Sequence, residues 1–233
     1  LWTPAERSLM EMRFREFLVG GGFPEAQGLA PGIAIDLLQG YVKTVLFRDI
    51  VERYRVSNVA ALRWVVRQCL RNPCGALSVH RFHTDLRSQG HNVGKDTVHA
   101  ILEHLQDSFL ISAVPVVTES ERQRNSNPRK IYPADPGLIR AFDSTRRSNI
   151  GHALETAILH ELQRKKAEIG YAKCGENLNV DFLARFQSGE AELIQVCADL
   201  GDPATCLREI RAIEAAAELY PDAARRILVL NRD

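Results

Sequence analysis

The spacing of apolar residues changes period along this chain, and that change limits the folds open to it. Up to Ser108 the apolar residues recur at helical steps, and beyond it short strand-like runs alternate with helical ones. From Glu6 to Leu18, Leu9, Met12, Phe14 and Phe17 form a rough helical stripe ended by Gly20-Gly21-Gly22 and Phe23-Pro24-Glu25. A second helix is predicted from Ile33 to Arg55, with Ile35, Leu38, Val42, Val45, Leu46 and Ile50 along one side. A third runs from Asn58 to Leu70 and stops at Arg71-Asn72-Pro73.

Two shorter helices follow. Ser78 is the expected N-cap of one reaching Arg87, and the second, from Lys95 to Ser108, carries Val98, Ile101, Leu102 and Leu105. Phe109–Val114 and Arg129–Tyr132 read as two strands joined by a polar loop. Helix, turn, helix and hairpin is the winged-helix order. After a basic connector, Ala153–Lys166 is an amphipathic helix, and Ile169–Cys174, Leu178–Phe186 and Glu192–Cys197 are strands. Thr205–Leu219 is helical and Arg226–Leu230 a last strand. The fold class is therefore mixed: a mainly α N-terminal part with a winged helix, then a small α/β domain. The expected divisions are a helical lead-in at 1–57, a winged helix and connector at 58–147, and the α/β domain at 148–233.

With 45% hydrophobic and 25% charged residues over 233 positions, the chain has the composition of a globular protein. No apolar run approaches the roughly 20 residues of a membrane span, so the chain is expected in the cytosol without a membrane partner. The first residue is Leu1 rather than methionine, and the expectation is a segment of a longer protein. Five cysteines without C-x-x-C spacing are expected to be reduced core residues. The pair Gly94-Lys95 lacks the upstream glycine of a phosphate-binding loop, so no ATP site of that type is expected. His80 and His83 with Cys74 upstream are too few for a closed zinc site, and no nucleophile elbow is present.

Several short motifs add a resemblance. Phe14-Arg15-Glu16-Phe17-Leu18, Gly21-Gly22-Phe23-Pro24-Glu25, Leu46-Phe47-Arg48-Asp49-Ile50, Lys130-Ile131-Tyr132 with Asp135-Pro136-Gly137-Leu138, and Asn149-Ile150-Gly151 with Leu154-Glu155 are its residues. In order and spacing they resemble the C-terminal domain of unknown function that follows the P-loop core of many prokaryotic AAA-type ATPases. That resemblance implies a winged helix joined to a PD-(D/E)xK, restriction-endonuclease-like fold, with ATP bound only in a core N-terminal to this segment.

Such a nuclease site needs two or three carboxylates to hold Mg²⁺ and a lysine to steady the developing phosphate charge. By the resemblance, Glu155 matches the helical acid and Asp181 the strand aspartate, and these two would be the metal ligands. Gln195 stands where the second acid is expected and Cys197 where the lysine is expected. The expectation is a degenerate site in which no catalytic set is intact and no cofactor is required. The alternative is a Mg²⁺-dependent nuclease whose lysine has relocated, with Lys173 nearest by sequence. Double-stranded DNA is an expected partner, through Lys95 and His99 on the reading helix, Arg81 and Arg87 on the helix before it, and Arg122, Arg124, Arg129 and Lys130 at the wing. Asp96, Glu103 and Asp107 on the reading helix would repel phosphate, which leaves docking to a protein partner or self-association as the competing role.

Overall fold

A computed structural model describes residues 2–120, 122–123, 127–143, 149–175 and 178–230. The protein is mixed α/β. Its elements are α1 (Pro4–Gly20), α2 (Pro31–Thr44), α3 (Val59–Arg71), β1 (Ala76–Leu77), α4 (Val79–Ser88), α5 (Lys95–Asp107), β2 (Ile111–Val114), β3 (Arg129–Pro133) and α6 (Pro136–Phe142). They continue with α7 (Ile150–Arg164), β4 (Glu168–Lys173), β5 (Asn179–Arg185), β6 (Ala191–Cys197), α8 (Pro203–Leu219) and β7 (Ala224–Val229). Among the described residues no helix is long and apolar enough to cross a membrane.

The chain forms two compact units, Leu1–Ser112 with Ile131–Ala153, and Ala113–Lys130 with Leu154–Asp233. It passes between them inside β2, inside β3 and inside α7. The expected lead-in at 1–57 and most of the expected winged-helix segment thus belong to the first unit, whereas Ala113–Lys130 belongs to the second.

In the first unit, α6 packs against α1, α2 and α3, and α3, α4 and α5 pack on one another. The buried face of α3 is Ala61, Leu62, Val65, Val66, Cys69 and Leu70, the stripe that 3.6-residue periodicity dictates. Asn58 caps this helix by accepting from the Ala61 N–H at 2.9 Å. Ser78 precedes α4, but its side chain makes no capping bond. Beyond Thr44, α2 continues through Val45–Glu52 with the wider π-type winding. β1, β3 and β2 form a sheet with β3 in the middle.

The motifs around Gly21 and Asp135 meet in space. Gly21 ends α1 with φ 80°, a conformation that disfavours any side chain. Asp135 accepts from the Gly22 N–H and from the Gly137 N–H, both at 2.7 Å, so one carboxylate caps α6 and ties it to the end of α1. A Cβ added at Gly21 would collide with Asp135 Oδ1, which explains why this turn is built of glycine.

In the second unit the sheet order is β4-β5-β6-β7. β4, β5 and β6 are antiparallel, whereas β7 returns through α8 to lie parallel to β6. The core joins Ala212, Ile213, Ala216 and Ala217 of α8 to Ala172, Val180, Leu183 and Leu193 of the sheet. Between Gly170↔Leu183 and Ala172↔Val180, β4 advances two residues while β5 advances three. The extra residue is a β-bulge at Asp181–Phe182, and a bulge turns side chains out of strict alternation. Val180, Asp181, Phe182, Leu183 and Ala184 are accordingly all buried in succession.

Candidate functional site

Three charged side chains from separate parts of the second unit converge beside that bulge. Lys130 comes from β3, Glu155 from α7 and Asp181 from β5. The Lys130 Nζ donates to Asp181 Oδ1 at 2.6 Å and to Glu155 Oε1 at 3.1 Å. Lys130 is 9% exposed and both acids 8%, so this is an ion triad shielded from water. Burial alone would lower the lysine's pKa, but the adjoining Asp181 and Glu155 carboxylates outweigh it and hold the ammonium above the ordinary lysine range. Burial and the neighbouring Glu155 charge push Asp181 up to about 6, against the opposing pull of Lys130 and of a backbone N–H.

The pairing of β5 with β6 is in register from Arg185↔Ala191 to Phe182↔Ile194. Next to it, side chains take over the backbone's hydrogen bonds. Asp181 Oδ2 accepts from the Val196 N–H at 2.9 Å, and Gln195 Oε1 accepts from the Asp181 N–H at 3.2 Å. Gln195 then donates through Nε2 to Glu209 Oε2, and Arg208 donates to the other oxygen of Glu209. Gln195 is 6% and Glu209 5% exposed, so both ends of the amide are satisfied where water cannot substitute.

Mg²⁺ takes six oxygens in a near-ideal octahedron. As arranged, these residues do not fit it. The ammonium stands between the two facing carboxylates, Asp181 Oδ2 is held by the backbone, and the Gln195 amide oxygen is turned to the Asp181 N–H. Among the described residues no group of three or more His, Cys, Asp or Glu side chains is placed to hold a metal ion. Cys197 is partly buried and donates its thiol to the Asp199 carbonyl at 2.9 Å, adding no cation. The cysteines are free thiols.

The residues expected to meet DNA are distributed as follows. Arg81 and Arg87 on α4, and Lys95 and His99 on α5, are exposed in the first unit. Arg81 lies 3.9 Å from Asp85, and Asp96, Glu103 and Asp107 are exposed on α5. In the second unit Arg122 is exposed and Arg129 half-buried. Arg124 lies outside the described residues. Lys130 departs from expectation: it is not a surface contact of the wing but the buried cation of the triad. Lys173, the nearest substitute lysine by sequence, is exposed at the end of β4.

Glu209 and Arg208 were not foreseen. Their signal is in the sequence of α8, where Glu209 shares the i, i+3, i+4, i+7 stripe with Ala212, Ile213 and Ala216. A glutamate on an apolar stripe must find a buried partner. Lys130 shows no such signal before folding; in the structure it opens a run, Lys130, Ile131, Tyr132 and Pro133, that is buried throughout.

Residues 11–149, more than half of the chain, match a family described as Domain of unknown function (DUF8612). The chain belongs to the DUF8612 family. Its DUF8612 segment carries Lys130 and the Gly21–Asp135 tie, whereas Glu155, Asp181 and Gln195 follow it. A curated relative, Uncharacterized protein MJ1544 of Methanocaldococcus jannaschii, is 28% identical over 221 residues, which are 92% of this chain and 48% of that protein. The chain thus spans about half the length of that relative. No solved structure matches.

Proposed function

We propose that this chain is a DNA- or partner-binding regulatory module of a prokaryotic AAA-type ATPase, and that its restriction-endonuclease-like unit cuts nothing. The observation that carries the reading is the Lys130 ammonium lodged between Glu155 and Asp181, where a nuclease would hold its metal. A charge the metal would neutralise is neutralised instead by the chain itself. The order α3, β1, α4, α5, β2, β3, with β3 between β1 and β2, supports a winged helix in the DUF8612 segment. A helix, three antiparallel strands and a crossover helix to a parallel strand support the nuclease-like ancestry. The exposed Arg81, Arg87, Lys95 and His99 are the phosphate and base contacts of this reading, tempered by the acids beside them.

The second reading, a Mg²⁺-dependent nuclease with a relocated lysine, draws on the same triad, since Lys130 would be that lysine. One experiment separates the two. The chain is incubated with supercoiled plasmid and Mg²⁺ or Mn²⁺, and binding to a labelled duplex is titrated at low and moderate salt. The expected result is an intact plasmid with salt-sensitive duplex binding that weakens in Arg87→Glu. Plasmid cleavage lost in both Asp181→Ala and Lys130→Ala would overturn the silent reading. Absence of duplex binding at micromolar protein would assign the module to a protein partner.

A further inference from the structure

Within the first unit a cavity of about 650 Å³ opens between α2, α3 and the end of α6. Its size is that of a small-molecule site, on the order of 300–1,000 Å³. The floor is apolar: Val42, Leu46 and Val66 are buried in the helix packing, and Phe47 and Phe142 add aromatic rings.

The lining carries four cations, Lys43, Arg63, Arg67 and Arg71, against the single carboxylate Asp143. The three arginines are at i, i+4 and i+8 of α3, so they share one face and rise by about 6 Å from one to the next. Among the described residues none of the four cations has a carboxylate within ion-pair distance. Arg63 lies over the Phe47 ring at 5.1 Å, which orders its guanidinium at the cavity wall.

The four cations are exposed at the rim of this partly apolar groove, where their positive potential would draw in an anion. Arginine's planar fork matches phosphate oxygens in pairs. We propose that this cavity binds a nucleoside polyphosphate, with the phosphates on the Arg67–Arg71 face of α3 and the base against the apolar floor near Phe47. The site lies in the DUF8612 segment and uses none of the residues of the Lys130 triad, so it stands or falls independently of the function proposed above.

Isothermal titration calorimetry on the whole 233-residue chain, with ATP as the probe, tests it at about 50 mM salt, where phosphate contacts are strong. ATP is expected to bind in the micromolar range and inorganic triphosphate about tenfold more weakly, the difference being the seated base. Arg67→Glu with Arg71→Glu should weaken ATP at least about tenfold, and Arg67→Lys with Arg71→Lys, which keeps the charge and the fold, should weaken it by a smaller factor. Arg225→Glu, exposed in the other unit, should change nothing. The proposal fails if ATP gives no binding heat, if triphosphate binds as well as ATP, or if affinity survives in both double variants. A twelve-nucleotide single strand binding more tightly than ATP through the same arginines would assign the groove to a nucleic-acid strand instead.

Discussion

Lys130 is the side chain on which the second unit's electrostatics turn, and its removal defines the sharpest expectation. Lys130→Met keeps most of the unbranched side chain but not its terminal ammonium, and leaves Glu155 and Asp181 facing each other without a cation. Breaking a buried pair in this way costs on the order of 3–5 kcal/mol. The loss depends on pH in a definite direction. Asp181 has an ordinary pKa of 3.8 and is raised to about 6, so the folded chain holds this proton more tightly than the unfolded chain does. Its contribution to stability is complete below the unfolded value and disappears as pH rises through 6. Lys130 is also raised, so its contribution is complete below the ordinary lysine value of 10.5 and is lost only in more alkaline solution. Without the lysine, Asp181 must rise further. The stability deficit of Lys130→Met should therefore be small at pH 5 and large at pH 8, as read from urea midpoints. Equal deficits at both pH values would show that the ammonium is not neutralising Asp181.

At the scale of elements, the join between α1 and α6 depends on a glycine whose place a side chain cannot take. Gly21→Ala meets both an unfavourable backbone conformation and the Asp135 carboxylate, and should lose on the order of 2 kcal/mol or more. Gly28 also has positive φ, at 75°, but open space around it, so Gly28→Ala should show the backbone cost alone, about 1 kcal/mol. Thermal melting of the two variants checks the difference, and equal losses would remove Asp135 from the explanation. The same elements show what the sequence made legible. Helical stripes and their Gly and Pro stops located α1 to α5, α7 and α8 to within a few residues, counting the π-wound continuation of α2, because a 3.6-residue repeat over ten or more positions is a strong signal; α6, seven residues long, lies in the stretch that read as a basic connector. β1 was invisible, since two residues, Ala76 and Leu77, have no period. The inward turn of Asp181 rests on a bulge set by pairing with β4, and pairing is a property of two strands that neither states alone. Glu155, Asp181 and Gln195 could be named as a set from the resemblance. The cation that joins them could not, because it arrives from a strand that read as surface wing.

For the whole molecule, the second compact unit draws on residues well before 148, with consequences for any attempt to divide the chain. Ala113–Lys130 belongs with the sheet of the second unit. Val117 donates to the Tyr171 carbonyl, Tyr171 donates through its N–H to Pro115, and its hydroxyl donates to the Pro128 carbonyl. A fragment of residues 148–233 lacks these bonds and Lys130, whereas 113–233 keeps them. The shorter fragment should show no cooperative urea transition by circular dichroism while the longer one does; equal transitions would mean that the unit needs neither the strand nor its lysine. A net charge of +1 from 30 basic and 29 acidic residues conceals the local groupings on which both proposed binding surfaces depend. The triad has one more consequence. A metal ion bound between two acids leaves when it is diluted or chelated, but an ammonium joined to the backbone by four methylenes has nowhere to go. The charge balance at the heart of this unit is therefore written into its covalent structure, and a cell starved of magnesium would leave it undisturbed.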